Sequence, residues 1–272
     1  MASFERLVSD REVRMRGLAG RLVFIVAVLS WADVRAEDQI RFVTLEFAPF
    51  IYGENEQVAG PGRDVIEAAC DRAAIACSYD IYPWRRAQAL MKSGDADGMM
   101  VIGRNPEREE WLQFSPPMFR TEYGFFVQQD NAMEFDDVAQ IAGFRVGVFA
   151  PSNTATQLEG IRTEMISLGL DPIVIEGHPD DAAGMRKLAA GRLDAVYSNR
   201  DRAWDIVQKE QLDGKVRYAG QHQELFYFAG IHKSYRRQEV IDRFFDAWRA
   251  LFASGEAQAM IEKYGLEPAD LD

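Results

Sequence analysis

An eleven-residue phrase occurs twice in this chain and constrains its architecture more than any other feature. Ala89-Leu90-Met91-Lys92-Ser93-Gly94-Asp95-Ala96-Asp97-Gly98-Met99 and Arg186-Lys187-Leu188-Ala189-Ala190-Gly191-Arg192-Leu193-Asp194-Ala195-Val196 follow one pattern. Each reads as a helix end, a glycine stop, two residues, an aspartate, a small residue and an apolar strand. The copies lie 97 residues apart, beyond the roughly 20–50-residue period of a solenoid. Two units built to one plan are therefore predicted.

The surrounding pattern agrees. Apolar runs at 40–45 (IRFVTL), 79–82, 98–102 and 123–128 read as strands, and 111–114 is a shorter apolar piece. Helical periodicity covers 63–74, opened by Pro61-Gly62, and 84–92. Residues 103–110 read as a loop. The second pass begins near Phe135, with strands at 144–149 (FRVGVF), 173–175 and 195–197 and helices at 153–167, 180–190 and 200–209. Ser152 or Asn153 can cap the first of these helices, and Asp180 and Asp181 stand at the positive end of the second. A strand at 225–231 and amphipathic helices at 235–254 and 256–264 finish the chain. Strands alternating with helices predict an α/β fold with mostly parallel sheets. In such sheets ligands bind beyond the carboxyl ends of strands. That singles out 103–110, 198–202 and the ends of 40–45 and 144–149.

The first 36 residues differ from the rest. Arg11, Arg14, Arg16 and Arg21 precede the uncharged run 22–32 (LVFIVAVLSWA), and Val34-Arg35-Ala36 supplies a small-x-small exit. A basic region, an apolar stretch and such an exit read as a signal peptide over 1–36. The run is shorter than the roughly 20 apolar residues of a membrane span. Met15 offers an alternative start. The whole chain of 272 residues is long enough for two domains, and its 47% hydrophobic and 27% charged content is that of a soluble globular protein. Its net charge of −12 argues against a nucleic-acid partner. Residues 1–36 hold six basic and four acidic side chains, so the remainder carries 25 against 39, a net of −14. This surplus repels anionic membrane surfaces.

After export, Cys70 and Cys77 read as a disulfide rather than a metal pair. Seven residues of continuous helix span roughly 10 Å, whereas a disulfide needs Cα atoms about 5.5 Å apart. The bond thus requires the helix to end between the cysteines. Two free thiols are the alternative.

Motifs of catalysis are missing: there is no GxSxG, HExxH or GxxxxGK[ST]. His178, His222 and His232 are too scattered for a zinc site, and Asp95–Gly98 (DADG) lacks the rest of a calcium loop. No metal, no cofactor and no enzymatic activity are expected. What remains is a binding constellation. Arg108, in Asn105-Pro106-Glu107-Arg108 just past the apolar strand, can offer a two-pronged fork to a carboxylate. The competing reading is a surface arginine paired with Glu107, Glu109 or Glu110. Phe47 and Phe50, around Ala48-Pro49, and Trp84 serve either as packing or as ligand walls.

Taken in order, several segments resemble the family 3 bacterial extracellular solute-binding proteins, the type 2 periplasmic receptors of polar amino-acid ABC transporters. They are Phe47-Ala48-Pro49-Phe50, Gly62-Arg63-Asp64-Val65, Pro83-Trp84 and Leu90 through Asp97. Pro106-Glu107-Arg108-Glu109 with Phe114-Ser115-Pro116-Pro117 is the most specific run. Gly143-Phe144-Arg145-Val146-Gly147-Val148, Gly191 through Val196 and Ile261-Glu262-Lys263-Tyr264-Gly265 complete the match. The cysteine pair also sits where some members carry a disulfide.

The resemblance implies two α/β lobes, 37–126 with 225–272 and 127–224, joined by two hinge strands and closing on a ligand. It implies a periplasmic, monomeric receptor that delivers a small polar or carboxylate-bearing solute to an ABC permease. Arg108 would grip the carboxylate, with Phe47 and Trp84 as aromatic walls and Gly103, Asn153, Thr154 and Asn199 as further contacts. Departures from the family pattern carry their own expectation. Gly103-Arg104-Asn105 stands where serine or threonine is usual, and Ala150-Pro151-Ser152-Asn153-Thr154 replaces a Gly-Thr run. Asn199 occupies the place of the acid that receives a ligand amine. An amide lacks the charge that offsets a buried ammonium, so ordinary α-amino acids are expected to bind weakly unless Glu46 or Asp201 substitutes. The same fold also serves sensor or accessory modules and cyclohexadienyl dehydratases. For the latter, Glu46, Glu122 and Glu224 are the candidate acids.

Overall fold

Each half of the molecule starts with a strand whose apolar side chains are buried, and proline, glycine or a capping side chain stands where its first helix begins. The computed structural model describes residues 38–270, so the expected signal peptide lies outside the described residues. In the first half come β1 (Gln39–Thr44), a small hairpin of β2 (Tyr52–Glu54) and β3 (Gln57–Ala59), and α1 (Pro61–Ala73). They are followed by β4 (Ala76–Ile81), α2 (Trp84–Ser93) and β5 (Gly98–Gly103). Then come α3 (Pro106–Trp111), β6 (Leu112–Phe114) and β7 (Phe119–Gln128). After a 3₁₀ turn at Val138–Ile141, the second half runs β8 (Arg145–Phe149), α4 (Asn153–Ser167), β9 (Val174–His178) and α5 (Asp181–Ala189). It continues with β10 (Ala195–Asn199), α6 (Arg200–Lys209) and the long β11 (Val216–His232). The chain ends in α7 (Gln238–Ala253), α8 (Glu256–Glu262) and the short β12 (Glu267–Pro268).

Strands follow the order β4-β1-β5-β11-β7-β10-β8-β9. β1 pairs in parallel with β4 and β5, and β8 pairs in parallel with β9 and β10. The long strands β11 and β7 run antiparallel to each other and to these neighbours. Each half is thus a parallel triplet closed by one strand of the central antiparallel pair. This is the two-lobed α/β fold.

The repeated aspartates explain the repeated phrase. Asp97 N donates to Arg41 O at 3.0 Å while Arg41 N donates to Asp97 Oδ2 at 2.9 Å, which clamps the start of β5 to β1. Asp194 N donates to Arg145 O at 3.0 Å and Arg145 N to Asp194 Oδ2 at 2.7 Å, which clamps β10 to β8 in the same way. A cis Ala48-Pro49 bond follows β1 and a cis Ala150-Pro151 bond follows β8, extending the correspondence.

Helix α1 stops at Ala73 because Ala74 turns left-handed at φ 53° and Ile75 N returns to Cys70 O. The turn brings the cysteines to a Cα separation of 6.2 Å, and Cys70 and Cys77 form the disulfide. In the first lobe Phe42, Phe50, Phe119 and Ile231 pack under the apolar faces of α1 and α7, with Phe244 and Trp248 as the largest contributors of α7. The second lobe packs Phe125, Val146, Leu158 and Tyr197 in one cluster and Phe126, Met185, Leu188 and Val207 in another.

Three segments differ from the sequence reading. β11 is far longer than the expected 225–231, because its first half pairs with β7 through an irregular, half-exposed stretch. The segment read as a 103–110 loop holds α3, capped by Asn105 Oδ1 on Arg108 N at 2.8 Å. The β2–β3 hairpin has too little apolar alternation to be read as strands.

Candidate ligand-binding cleft

The cleft is built from element ends on both lobes. On the first, β5 delivers Gly103, α3 delivers Arg108, α2 begins with Trp84, and the turn after β1 carries Phe47. Val101, with a left-handed φ of 52°, and the register shift between Phe228 and Gly230 form an irregularity just before Gly103. Such bulges re-aim strand ends near binding sites. On the second lobe, α4 presents Ser152, Asn153 and Thr154, α5 starts with Asp181, and β10 ends in Ser198 and Asn199. Tyr123 of β7 and Tyr227 of β11 form the base between them.

These groups line a cavity of about 60 Å³ that is partly open to solvent. One water needs roughly 10–15 Å³ on this measure, so the space suits a solute of a few non-hydrogen atoms. All seven residues to which the resemblance pointed, Phe47, Trp84, Gly103, Arg108, Asn153, Thr154 and Asn199, line this cavity, whereas Phe50 is fully buried in the core of the first lobe.

Arg108 is 6% exposed and makes no ion pair among the described residues. One guanidinium nitrogen donates to Gly103 O at 2.6 Å, and the group lies 5.3 Å from the centre of the Trp84 ring. Two of the nearby acids are engaged elsewhere: Glu107 pairs with Lys92 at 2.8 Å and Glu109 with Arg104 at 2.5 Å. Burial lowers the pKa of Arg108, but a guanidinium stays charged at any working pH. Burial also pushes the Tyr123 phenol up to about 12 and that of Tyr227 well above its ordinary value, so both are neutral hydrogen-bonding groups.

Asn199 lines the cavity with its amide already committed. Its Oδ1 accepts from Arg202 N at 2.9 Å, capping α6, and its Nδ2 donates to Thr121 Oγ1 at 2.8 Å. Neither acid suggested as a substitute reaches the cavity. Glu46 accepts from Gly53 N at 2.9 Å beside the β2–β3 hairpin, and Asp201 accepts from Thr121 Oγ1 at 2.6 Å. Glu122 and Glu224 lie in a separate polar depression where β7 and β11 cross between the lobes. The acid that does line the cavity is Asp181, 8% exposed, and sequence reasoning assigned it only to the helix dipole. The available signal was the Asp180-Asp181 pair. A helix start uses one cap, which Asp180 supplies to Ala183 N at 2.7 Å, leaving the second acid free to point inward.

Asp181 accepts from Ser198 Oγ at 3.3 Å and lies 3.5 Å from Arg202 Nε. Burial raises its pKa, and Arg202 pulls the other way. Arg202 also reaches the first lobe, donating to Ala48 O at 3.2 Å and lying 5.6 Å from the centre of the Phe47 ring.

Residues 40–267 match the family described as bacterial extracellular solute-binding proteins, family 3. The chain belongs to that family. Its members are extracellular, and solved structures share this family 3 fold at low identity. A histidine kinase sensor domain similar to periplasmic binding proteins has a TM-score of 0.74 at 17% identity, covering 86% of this chain and 99% of that one. An amino acid ABC transporter substrate-binding protein from Streptococcus pneumoniae, bound to L-arginine, has a TM-score of 0.69 at 19% identity, covering 83% and 94%. An ancestral amino acid-binding protein, a precursor of cyclohexadienyl dehydratase, has a TM-score of 0.69 at 17% identity, covering 83% and 94%. No curated protein sequence matches the chain. A transporter's substrate-binding protein, a sensor domain and an enzyme precursor thus share one fold.

Proposed function

We propose that this protein captures a small carboxylate-bearing solute between its lobes and delivers it, in the periplasm, to the permease of an ABC transporter. The observation that carries the reading is Arg108, a buried cation facing the cavity without a carboxylate partner among the described residues. An uncompensated buried charge costs several kcal/mol. A ligand carboxylate offsets that cost and accepts two hydrogen bonds from the fork. Trp84 and Phe47 wall the solute, Gly103 leaves room for the second lobe to approach, and Asn153 and Thr154 at the start of α4 offer polar contacts. Asn199 contributes shape and a neutral surface, its amide being held by α6 and Thr121.

A ligand that touches both lobes favours closure by its differential affinity for the closed form. The closed form is then the one a permease distinguishes. A thermal-shift screen over short carboxylates, amino acids and amines tests the reading, because a ligand that binds only the folded state raises its stability by mass action. Carboxylates should raise the melting temperature and amines without a carboxylate should not. A screen in which only amines stabilise would overturn it.

A further inference from the structure

The cleft holds a second buried charged group whose bonding capacity is largely unused. A carboxylate can accept about four hydrogen bonds. Asp181, among the described residues, accepts only a long one from Ser198 Oγ at 3.3 Å. Arg202 stands 3.5 Å away, yet its Nε makes no hydrogen bond, so the pair balances charge without saturating the carboxylate. Asp181 faces the same cavity as Arg108, from the opposite lobe.

Charge balance then discriminates between ligands. Arg202 lies 3.5 Å from Asp181 and 3.8 Å from Asp205, and Asp205 pairs with Lys209 at 3.0 Å. This group of two cations and two anions is neutral. Asn199 adds no charge, so Arg108 is the unbalanced one at the cavity. A ligand carboxylate neutralises it. If the ligand also carried an ammonium, one positive charge would be left over among buried side chains, which is costly. A hydroxyl gives Asp181 the donor it lacks and adds no charge.

We infer that Asp181 determines specificity by accepting a hydrogen bond from a ligand hydroxyl, so that the solute is a short hydroxycarboxylate held between Arg108 and Asp181. The inference rests on Arg108 as the carboxylate grip and adds the second half of the ligand. The cavity of about 60 Å³ sets the scale at a few carbons.

The test is calorimetry with four probes on one carbon skeleton: propionate, lactate, alanine and propane-1,2-diol. Wild type, Asp181→Ala, Asp181→Asn and Arg108→Gln are compared after thermal melts establish that each is folded. Lactate should bind wild type about tenfold tighter than propionate, the size of one charge-assisted hydrogen bond. It should also bind more tightly than alanine. Asp181→Ala should erase the gap between lactate and propionate, and Asp181→Asn should narrow it. A gap that survives Asp181→Ala, or alanine binding as tightly as lactate, overturns the inference and leaves Arg108 standing. If propane-1,2-diol binds in an Asp181-dependent way while no carboxylate depends on Arg108, the grip fails and the role of Asp181 stands. Absence of binding by all four probes overturns both.

Discussion

Asn105 Nδ2 donates to Asn153 Oδ1 at 2.9 Å, joining the α3 side of the first lobe to the start of α4 on the second. Gly103 makes this approach possible, since a Cβ there would lie 2.8 Å from Asn153 Nδ2. The bond exists only with the lobes together, as does that from Arg202 to Ala48 O. Asn105→Ser keeps a good cap for α3 but is too short to reach Asn153. Losing one neutral hydrogen bond of about 1 kcal/mol from the closed form alone should weaken ligand affinity roughly fivefold. Small-angle scattering should show a larger ligand-free radius of gyration in the variant. Unchanged affinity and radius would mean that this bond plays no part in closure.

Asn199→Asp restores the acid that the family pattern carries, and the structure makes its effect predictable. The aspartate can still cap α6, but it loses the donor to Thr121 Oγ1, which already donates to Asp201. Two carboxylates would then flank one hydroxyl in a buried site. A destabilisation of about 1–3 kcal/mol is expected at neutral pH, with no gain in amino-acid affinity. Denaturant unfolding and alanine calorimetry check the two parts. Tight alanine binding by the variant would show that position 199 alone decides amine recognition.

Two histidines, His178 buried and His222 half-buried, give stability a defined pH dependence. His178 is 6% exposed, its Nε2 lacks a hydrogen-bond partner, and burial holds its pKa below the usual value. His222, bonded through Nδ1 to the Tyr197 hydroxyl at 2.8 Å, is lowered by burial as well. A folded-state pKa below the unfolded one means that the unfolded chain binds the proton first. Stability is therefore full above the unfolded value near pH 6.5 and falls as pH drops below it, by at most about 1.4 kcal/mol per pH unit for each histidine. Urea unfolding at pH 7.5 and 5.5 should show this loss, and His178→Gln should reduce it. An identical loss in the variant would exclude His178 as a contributor.

The two-lobed fold was legible because its periodicity is local. The Asp97 and Asp194 clamps recur at matching strand starts, and each strand and helix around them carries its own apolar pattern. The disulfide was read from the expected export, on the condition that the helix end between the cysteines, and α1 meets that condition by stopping at Ala73. The first half of β11 was not legible, because residues 216–224 pair with β7 through two register shifts and show no clean alternation. α3 was hidden by its short length and charged sequence. At the site, the resemblance pointed to seven residues that line one cavity, but Asp181 was read only as a helix-start acid. A helix-start acid looks the same in sequence whether it faces solvent or a cleft. Only the meeting of the two lobes distinguishes the cases.

The central claim is that Arg108 accepts a ligand carboxylate, and calorimetry of lactate with wild type and Arg108→Met tests it most directly. Wild type should bind. The variant should lose at least about tenfold in affinity, the lower end expected for hydrogen bonds to a charged group, while its ligand-free melting temperature stays equal or rises because an unpaired buried charge is gone. Undiminished lactate binding by Arg108→Met would contradict the account.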